Sequence, residues 1–174
     1  MTAHDKPVPD SHNTPMEVRR ATAADVPAVL PMVSQLCALH REWDAAKYGY
    51  HADPASKYRY WLTARAADER SVFLVADRGE TAADTLAGFI VGAIEPEIPI
   101  YELKEYGFIH DLWVDPAYRH EGVARQLTLR AVEAFKALGV RQIRLETASS
   151  NDIARSLFAT CGFRPDSIEM LLEI

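Results

Sequence analysis

The chain has 174 residues, 48% of them hydrophobic and 25% charged, with a formal net charge of −6 at pH 7. That length buries one good core and is too short for two ordinary domains. The acidic balance excludes the clustered Lys and Arg with which general nucleic-acid binders displace counterions, and suits a cationic small substrate better.

Residues 1–15 mix Pro, Asp, Ser, His and Asn with almost no large apolar side chains, so they cannot offset their own ordering entropy and read as a disordered tail. Residues 16–174 are left as one domain. Residues 16–21 alternate well enough for a first strand. A helix follows Thr22, with Asp25 in a capping position, Pro27 in the first turn, and Val26, Val29, Leu30, Val33, Leu36 and Cys37 on one apolar face. Pro31 in its interior is expected to kink it. An aromatic stretch holding Trp43, Tyr48, Tyr50, His51, Tyr58 and Trp61 comes next, and Asp53-Pro54 starts a second helix that ends near Ala67. Residues 71–76 and 86–94 are strands around a polar turn at 77–84, which makes a hairpin. Residues 95–105, with Pro96, Pro99 and several glutamates, read as a surface loop.

Residues 108–114 form a strand stopped by Asp115-Pro116, and Val123, Leu127, Ala131, Ala134, Phe135 and Leu138 mark the face of a helix ended by Gly139. Residues 143–147 are the next strand. A whole helix separates it from its predecessor, so the two should run parallel. Asn151 opens a short helix with Ala154, Leu157, Phe158 and Cys161 as its buried stripe, and residues 168–174 are read as a last strand. Cys37 and Cys161 lie far apart without metal-ligand spacing, so neither a disulfide framework nor a metal site is expected. No apolar run approaches the roughly 20 residues that cross a bilayer, and the N-terminus lacks secretory-signal blocks, so the expected location is the cytoplasm.

The strongest signal is Arg119-His120-Glu121-Gly122-Val123-Ala124, placed between a strand and a helix. A helix start presents unpaired N–H groups and partial positive charge, and a glycine there lets an anion approach the backbone. Arg119 and Arg125 can add charge-assisted bonds to phosphate. The Lys and Ser/Thr of a Walker loop are absent, and two glycines of the dinucleotide fingerprint are missing.

The run HDLWVDPAYRHEGVARQL, followed by LETASSNDIARSLFATCGFRP, resembles the GCN5-related N-acetyltransferase family. The likeness extends over residues 16–174. It implies an α/β fold: a mixed, mainly antiparallel twisted sheet with a central splayed parallel strand pair and flanking helices. It implies acetyl-CoA as acyl donor without a metal, a primary amine as acceptor, no nucleic-acid or membrane partner, and a homodimer. Backbone groups at Leu112, Trp113 and Val114 would hold the pantetheine arm, and those of His120, Glu121, Gly122, Val123 and Ala124 the pyrophosphate. Asn151 would contact the donor while capping its helix. Phe158 stands where the family usually carries a Tyr thought to protonate the leaving thiolate, so it can pack on the donor but cannot act as that acid.

His110 sits where similar enzymes carry the base that accepts the amine proton, and an ordinary imidazole is neutral enough at pH 7 to do so; equally, it can be a packed strand histidine that only shapes the pocket. Asp111 is favoured over Glu146 as a second acidic group, though either can instead face solvent or pair with Arg141 or Arg144. The alternative is a non-catalytic acyl-CoA-binding sensor or assembly module of the same fold.

Overall fold

Strand 86–94 reads as an unbroken apolar run because it lies between two other strands and is covered on both faces. The computed structural model describes residues 16–79 and 86–174, so the tail at 1–15 and most of the turn at 77–84 fall outside the described residues. The strands are β1 (Glu17–Arg20), β2 (Ser71–Asp77), β3 (Leu86–Pro96), β4 (Glu105–Val114) and β5 (Ile143–Leu145), forming among the described residues one sheet in that order. The first three pairings are antiparallel, and β4 runs parallel to β5.

Helices α1 (Val26–Trp43) and α2 (Pro54–Ala67) cover one face, where Val29, Val33 and Leu62 meet Phe73, Phe89 and Val91. Helix α3 (Val123–Ala137) covers the other, setting Leu127, Ala131 and Phe135 against Ile90 and Ile109. Helix α4 (Asp152–Thr160) is short and lies beside α3. The turn before α1 is fixed by Asp25, whose carboxylate accepts from the Thr22 N–H at 2.7 Å and from Arg19. Arg19 also reaches Asp77 at 2.7 Å and so ties this turn to β2. The α1 helix runs through Pro31, which lies on its exposed side.

Phe135 is fully buried and fits because β3 and β4 place glycines beneath its ring. A Cβ on Gly92 would come within 3.0 Å of that ring and one on Gly107 within 2.7 Å.

Several expectations need correction. Residues 168–174 form no strand: the chain after α4 has no regular structure, and Ile168, Met170, Leu172 and Ile174 are exposed. A helix and a turn deliver this segment beside the loop after α1, where Glu169 pairs with Lys47, and not along β5. With no strand beyond β5 among the described residues, the parallel pair sits at the edge of the described sheet and not at its centre. The segment expected as a loop at 95–105 is shorter, because β3 continues through Pro96 and β4 begins at Glu105. Of the α4 stripe only Phe158 is buried; Cys161 is half-exposed, whereas Cys37 is a core residue.

A side chain at Gly107 must displace the Phe135 ring. Gly107→Val is therefore expected to lower stability by about 1–3 kcal/mol, the usual range for overpacking. A urea midpoint equal to the wild type's would show that the ring has room to move.

Candidate active site

In a regular strand His110 and Asp111 would face opposite sides of the sheet. They do not. Across the β3–β4 ladder Val91 pairs with Asp111 and the next residue, Gly92, pairs with Ile109, so His110 is the extra residue of a β-bulge. Before it, Ile109 packs with the α3 core; after it, Leu112 and Val114 do the same, while Trp113 joins the α1/α2 core. The bulge thus turns both His110 and Asp111 toward α1 and α2.

The His110 imidazole meets the Trp61 ring edge-on at 5.1 Å between centroids and the Phe108 ring at 5.0 Å. Its Nε2 lies 3.5 Å from a carboxylate oxygen of Glu95. Burial pulls the imidazole below its usual pKa, and the Glu95 charge opposes that pull, so His110 is neutral at pH 7. Asp111 accepts a hydrogen bond from the Tyr58 hydroxyl. It keeps a little accessible surface, but its surroundings are dense enough that desolvation pushes the carboxyl up to about 7. Neither Arg141 nor Arg144 neutralises Asp111; Arg144 instead pairs with Glu97 at 2.6 Å and lies over the Tyr106 ring.

The aromatic stretch divides into two groups. Tyr58 and Trp61, whose ring centroids are 5.1 Å apart, wall the His110–Asp111 site from α2. His40 stacks on Trp43 and Tyr48 and holds the Tyr50 hydroxyl 3.0 Å from its Nδ1, closing the end of α1.

Where β4 leaves β5, a second part of the site begins. The two strands pair only from Gly107 to Ile109 against Ile143 to Leu145, so β4 from His110 onward has no strand neighbour on that side among the described residues. Asp115 closes β4 by accepting from the Ala117 N–H at 2.9 Å, and a short 3₁₀ turn leads into the loop. Here His120 has φ 68° and Gly122 φ 80°, the left-handed region that costs a non-glycine residue energy. Nothing lies within 4 Å of the space a Gly122 Cβ would fill. The backbone N–H groups from His120 to Arg125 have no acceptor among the described residues, and the first backbone bond of α3 is from Gln126 to Gly122. Six N–H groups left without an acceptor at a helix start suit an anion such as a pyrophosphate.

Arg119 braces this loop as well as lending charge: its Nε donates to the Val114 carbonyl at 3.2 Å, and its guanidinium lies 4.8 Å from the Trp113 ring centroid. The Arg125 side chain is exposed beside the free amides. Asn151 caps α4 by accepting from the Ala154 N–H at 3.1 Å. Phe158 packs edge-on against Phe163 at 5.7 Å. Among the described residues there is no cluster of His, Cys, Asp and Glu able to hold a metal, and no helix is long and apolar enough to cross a membrane.

A mixed sheet whose parallel pair opens above an amide-lined helix start defines the class of an acyl-CoA-dependent acetyltransferase. The family model described as "Acetyltransferase (GNAT) family" matches residues 36–163, and the chain belongs to that family. It is 25% identical to the uncharacterized N-acetyltransferase YhfO of Bacillus subtilis, covering 87% of this chain and 92% of the relative. It is 28% identical to an uncharacterized protein of Mycobacterium leprae over 91% of this chain, but spans only 37% of that protein's length. The solved structure of a predicted acetyltransferase with acetyl-CoA from Clostridium acetobutylicum superimposes with a TM-score of 0.70 at 19% identity, over 91% of this chain and 96% of that one.

Glu95 was not singled out by the sequence, where it stands among several surface-loop glutamates. Tyr58 was met there as one ring of an aromatic stretch, more readily a packing residue than a contact for a cationic substrate.

The Asp111 carboxyl has a direct consequence for stability. Between its ordinary value of 3.8 and about 7, the folded protein holds a proton that the unfolded chain releases, so this contribution to stability falls as pH rises through that window. Asp111→Asn cannot ionise and keeps an oxygen for Tyr58. It is expected to raise the melting temperature at pH 8, corresponding to roughly 1–3 kcal/mol, and to change it little at pH 4. An equal effect at both values would show that the carboxyl is ionised at no cost.

Proposed function

We propose that this acetyltransferase transfers the acetyl group of acetyl-CoA directly to a primary amine of a small cationic molecule, with both substrates bound together. The observation that carries this reading is the bulge, which sets an imidazole and a carboxyl on one face of β4 a few residues before the free amides at the start of α3.

The amides from His120 to Ala124 and the Arg125 side chain hold the donor's pyrophosphate, with Arg119 bracing the loop. The unpaired edge of β4 at Leu112 to Val114 receives the pantetheine arm, and a backbone N–H there polarises the thioester carbonyl. Val114 can offer this arm little through its carbonyl, which Arg119 already engages. Asn151 and Phe158 flank the donor from α4. On the other side of β4, the ionised form of Asp111 attracts the ammonium of the acceptor, Tyr58 and Trp61 cover it, and neutral His110 takes a proton from it so that the free amine can attack. Phe158 has no hydroxyl, so the leaving thiolate is protonated from water or departs as the anion. Positioning of the two substrates supplies much of the remaining rate.

A homodimer is part of the proposal. The exposed alternation Ile168, Met170, Leu172 and Ile174 has the period of a strand, and the outer edge of β5 has no neighbour among the described residues. Replacing Met170 and Leu172 together by Glu is expected to convert a dimer into a monomer in sedimentation velocity, with the cooperative melt retained. A monomeric wild type removes the dimer from the proposal.

Two measurements test the chemistry. Gly122→Val puts a β-branched side chain at φ 80° in the amide cradle and is expected to weaken acetyl-CoA binding at least tenfold in calorimetry, leaving the fold intact. Unchanged affinity would sink the donor site. With an amine panel followed by mass spectrometry, His110→Ala should lower acetyl transfer by 10²–10⁴-fold while donor affinity stays near the wild type's. Tight donor binding by the wild type with no amine ever acetylated would favour a non-catalytic acyl-CoA-binding module.

A further inference from the structure

We infer that Glu95 is a positioning residue for His110, holding the Nε2–H so that Nδ1 is the atom that takes the acceptor's proton. This role rests on the acetyltransferase reading above.

Glu95 lies near the end of β3, paired across the ladder with Tyr106 and past the buried part of the strand. An unbulged β4 would alternate His110 and Asp111 across the sheet. Tyr106, Phe108 and His110 alternate regularly onto the face to which Glu95 also points, the bulge adding Asp111 to it, and the nearest atoms, Nε2 and Oε1, are 3.5 Å apart. Such a contact tightens when substrates exclude water. A neutral imidazole carries its proton on one nitrogen only, and a carboxylate beside Nε2 fixes it there, leaving the Nδ1 lone pair free. Trp61 stands edge-on to the ring at 5.1 Å and Phe108 at 5.0 Å, and these two walls limit how far it can turn.

Two charged side chains act on this imidazole, Arg65 and Glu95, and a third titratable group, Asp111, adjoins it in the chain. Arg65 on α2, stacked over Trp61 at 5.7 Å, disfavours protonation. Asp111, the next residue, is engaged by Tyr58, which itself packs on Trp61. Glu95 is the carboxylate closest to Nε2, and it opposes the effects of burial and of Arg65. Without it the ring would be a weaker base.

The step balances as follows. The acceptor nitrogen forms a bond to the acetyl carbon and the carbon–sulfur electron pair leaves with the thiolate. That nitrogen arrives as an ammonium and loses two protons: the first goes to His110 Nδ1 and frees the lone pair for the attack, the second passes from the acylated nitrogen to water, and the imidazolium keeps its Nε2–H on Glu95. No bond to Glu95 is made or broken.

The test is Glu95→Gln in the full chain, read first by nitrogen-15 NMR of the His110 ring and then by rate. The expected result is a lower His110 titration midpoint and a loss of the Nε2–H tautomer preference. The acidic limb of the pH–rate profile should shift to lower pH by the same interval. The plateau kcat should fall roughly tenfold, less than the 10²–10⁴-fold expected for removing the base, with KM for acetyl-CoA unchanged. Glu95→Asp should recover part of both effects. An unmoved NMR midpoint overturns the contact. A moved midpoint with an unmoved rate profile overturns the catalytic role while leaving the contact. A protein that acetylates no amine, yet shows the NMR shift, locates the failure in the acetyltransferase reading.

Discussion

The extra residue in β4 is the constraint on which the site depends. A strand offers each face every second side chain, so a regular β4 would give one face either His110 or Asp111 and bury the other against α3. The bulge breaks one step of that alternation, at the cost of an interrupted ladder between Val91 and Gly92. From there the phase is restored one residue out of step, which sends Leu112 and Val114 into the α3 core and Trp113 toward α1. The same displacement that pairs the two titratable groups also sets the course of β4 toward the amide-lined loop.

Several features near this site are unfavourable for folding taken alone. A carboxyl is held in dense surroundings with a tyrosine hydroxyl as its hydrogen-bond partner and no cation against it. An imidazole is desolvated between two aromatic rings. His120 adopts a left-handed conformation that an L side chain rarely takes. Local strain and buried titratable groups concentrate where chemistry needs them, and stability comes from elsewhere. Here it comes from two apolar cores, one on each face of β3, and from glycines that let Phe135 lie flat on the sheet.

The division of β4 into a paired and an unpaired half separates two tasks. Its first half is paired with β5; its second half has no strand on that side among the described residues and leads to the helix start. A rigid strand that is shared by both halves of a site fixes their relative position more tightly than loops would.

Much of this was legible in the sequence because it is local. The αL glycine at 122 and the helix after it follow from residue types in a short window, as do the Asn151 cap, the Asp53-Pro54 start of α2 and the parallel relation of β4 and β5. Periodicity was a poorer guide where tertiary context overrides it. Residues 168–174 alternate as a strand should, yet no strand among the described residues pairs with them, and a strand exists only where another accepts its hydrogen bonds. The bulge is invisible for the same reason: nothing in Ile109-His110-Asp111 marks it, and it is defined only by which β3 residues lie opposite. Glu95 and Tyr58 reach the site from β3 and α2, respectively 15 and 53 residues away from the group each contacts. The sequence by itself determined most of the elements and the glycine-led helix start at 122–123, which are set by near neighbours. Only the tertiary structure decided which side chains share a face with His110, since that depends on pairing between distant strands.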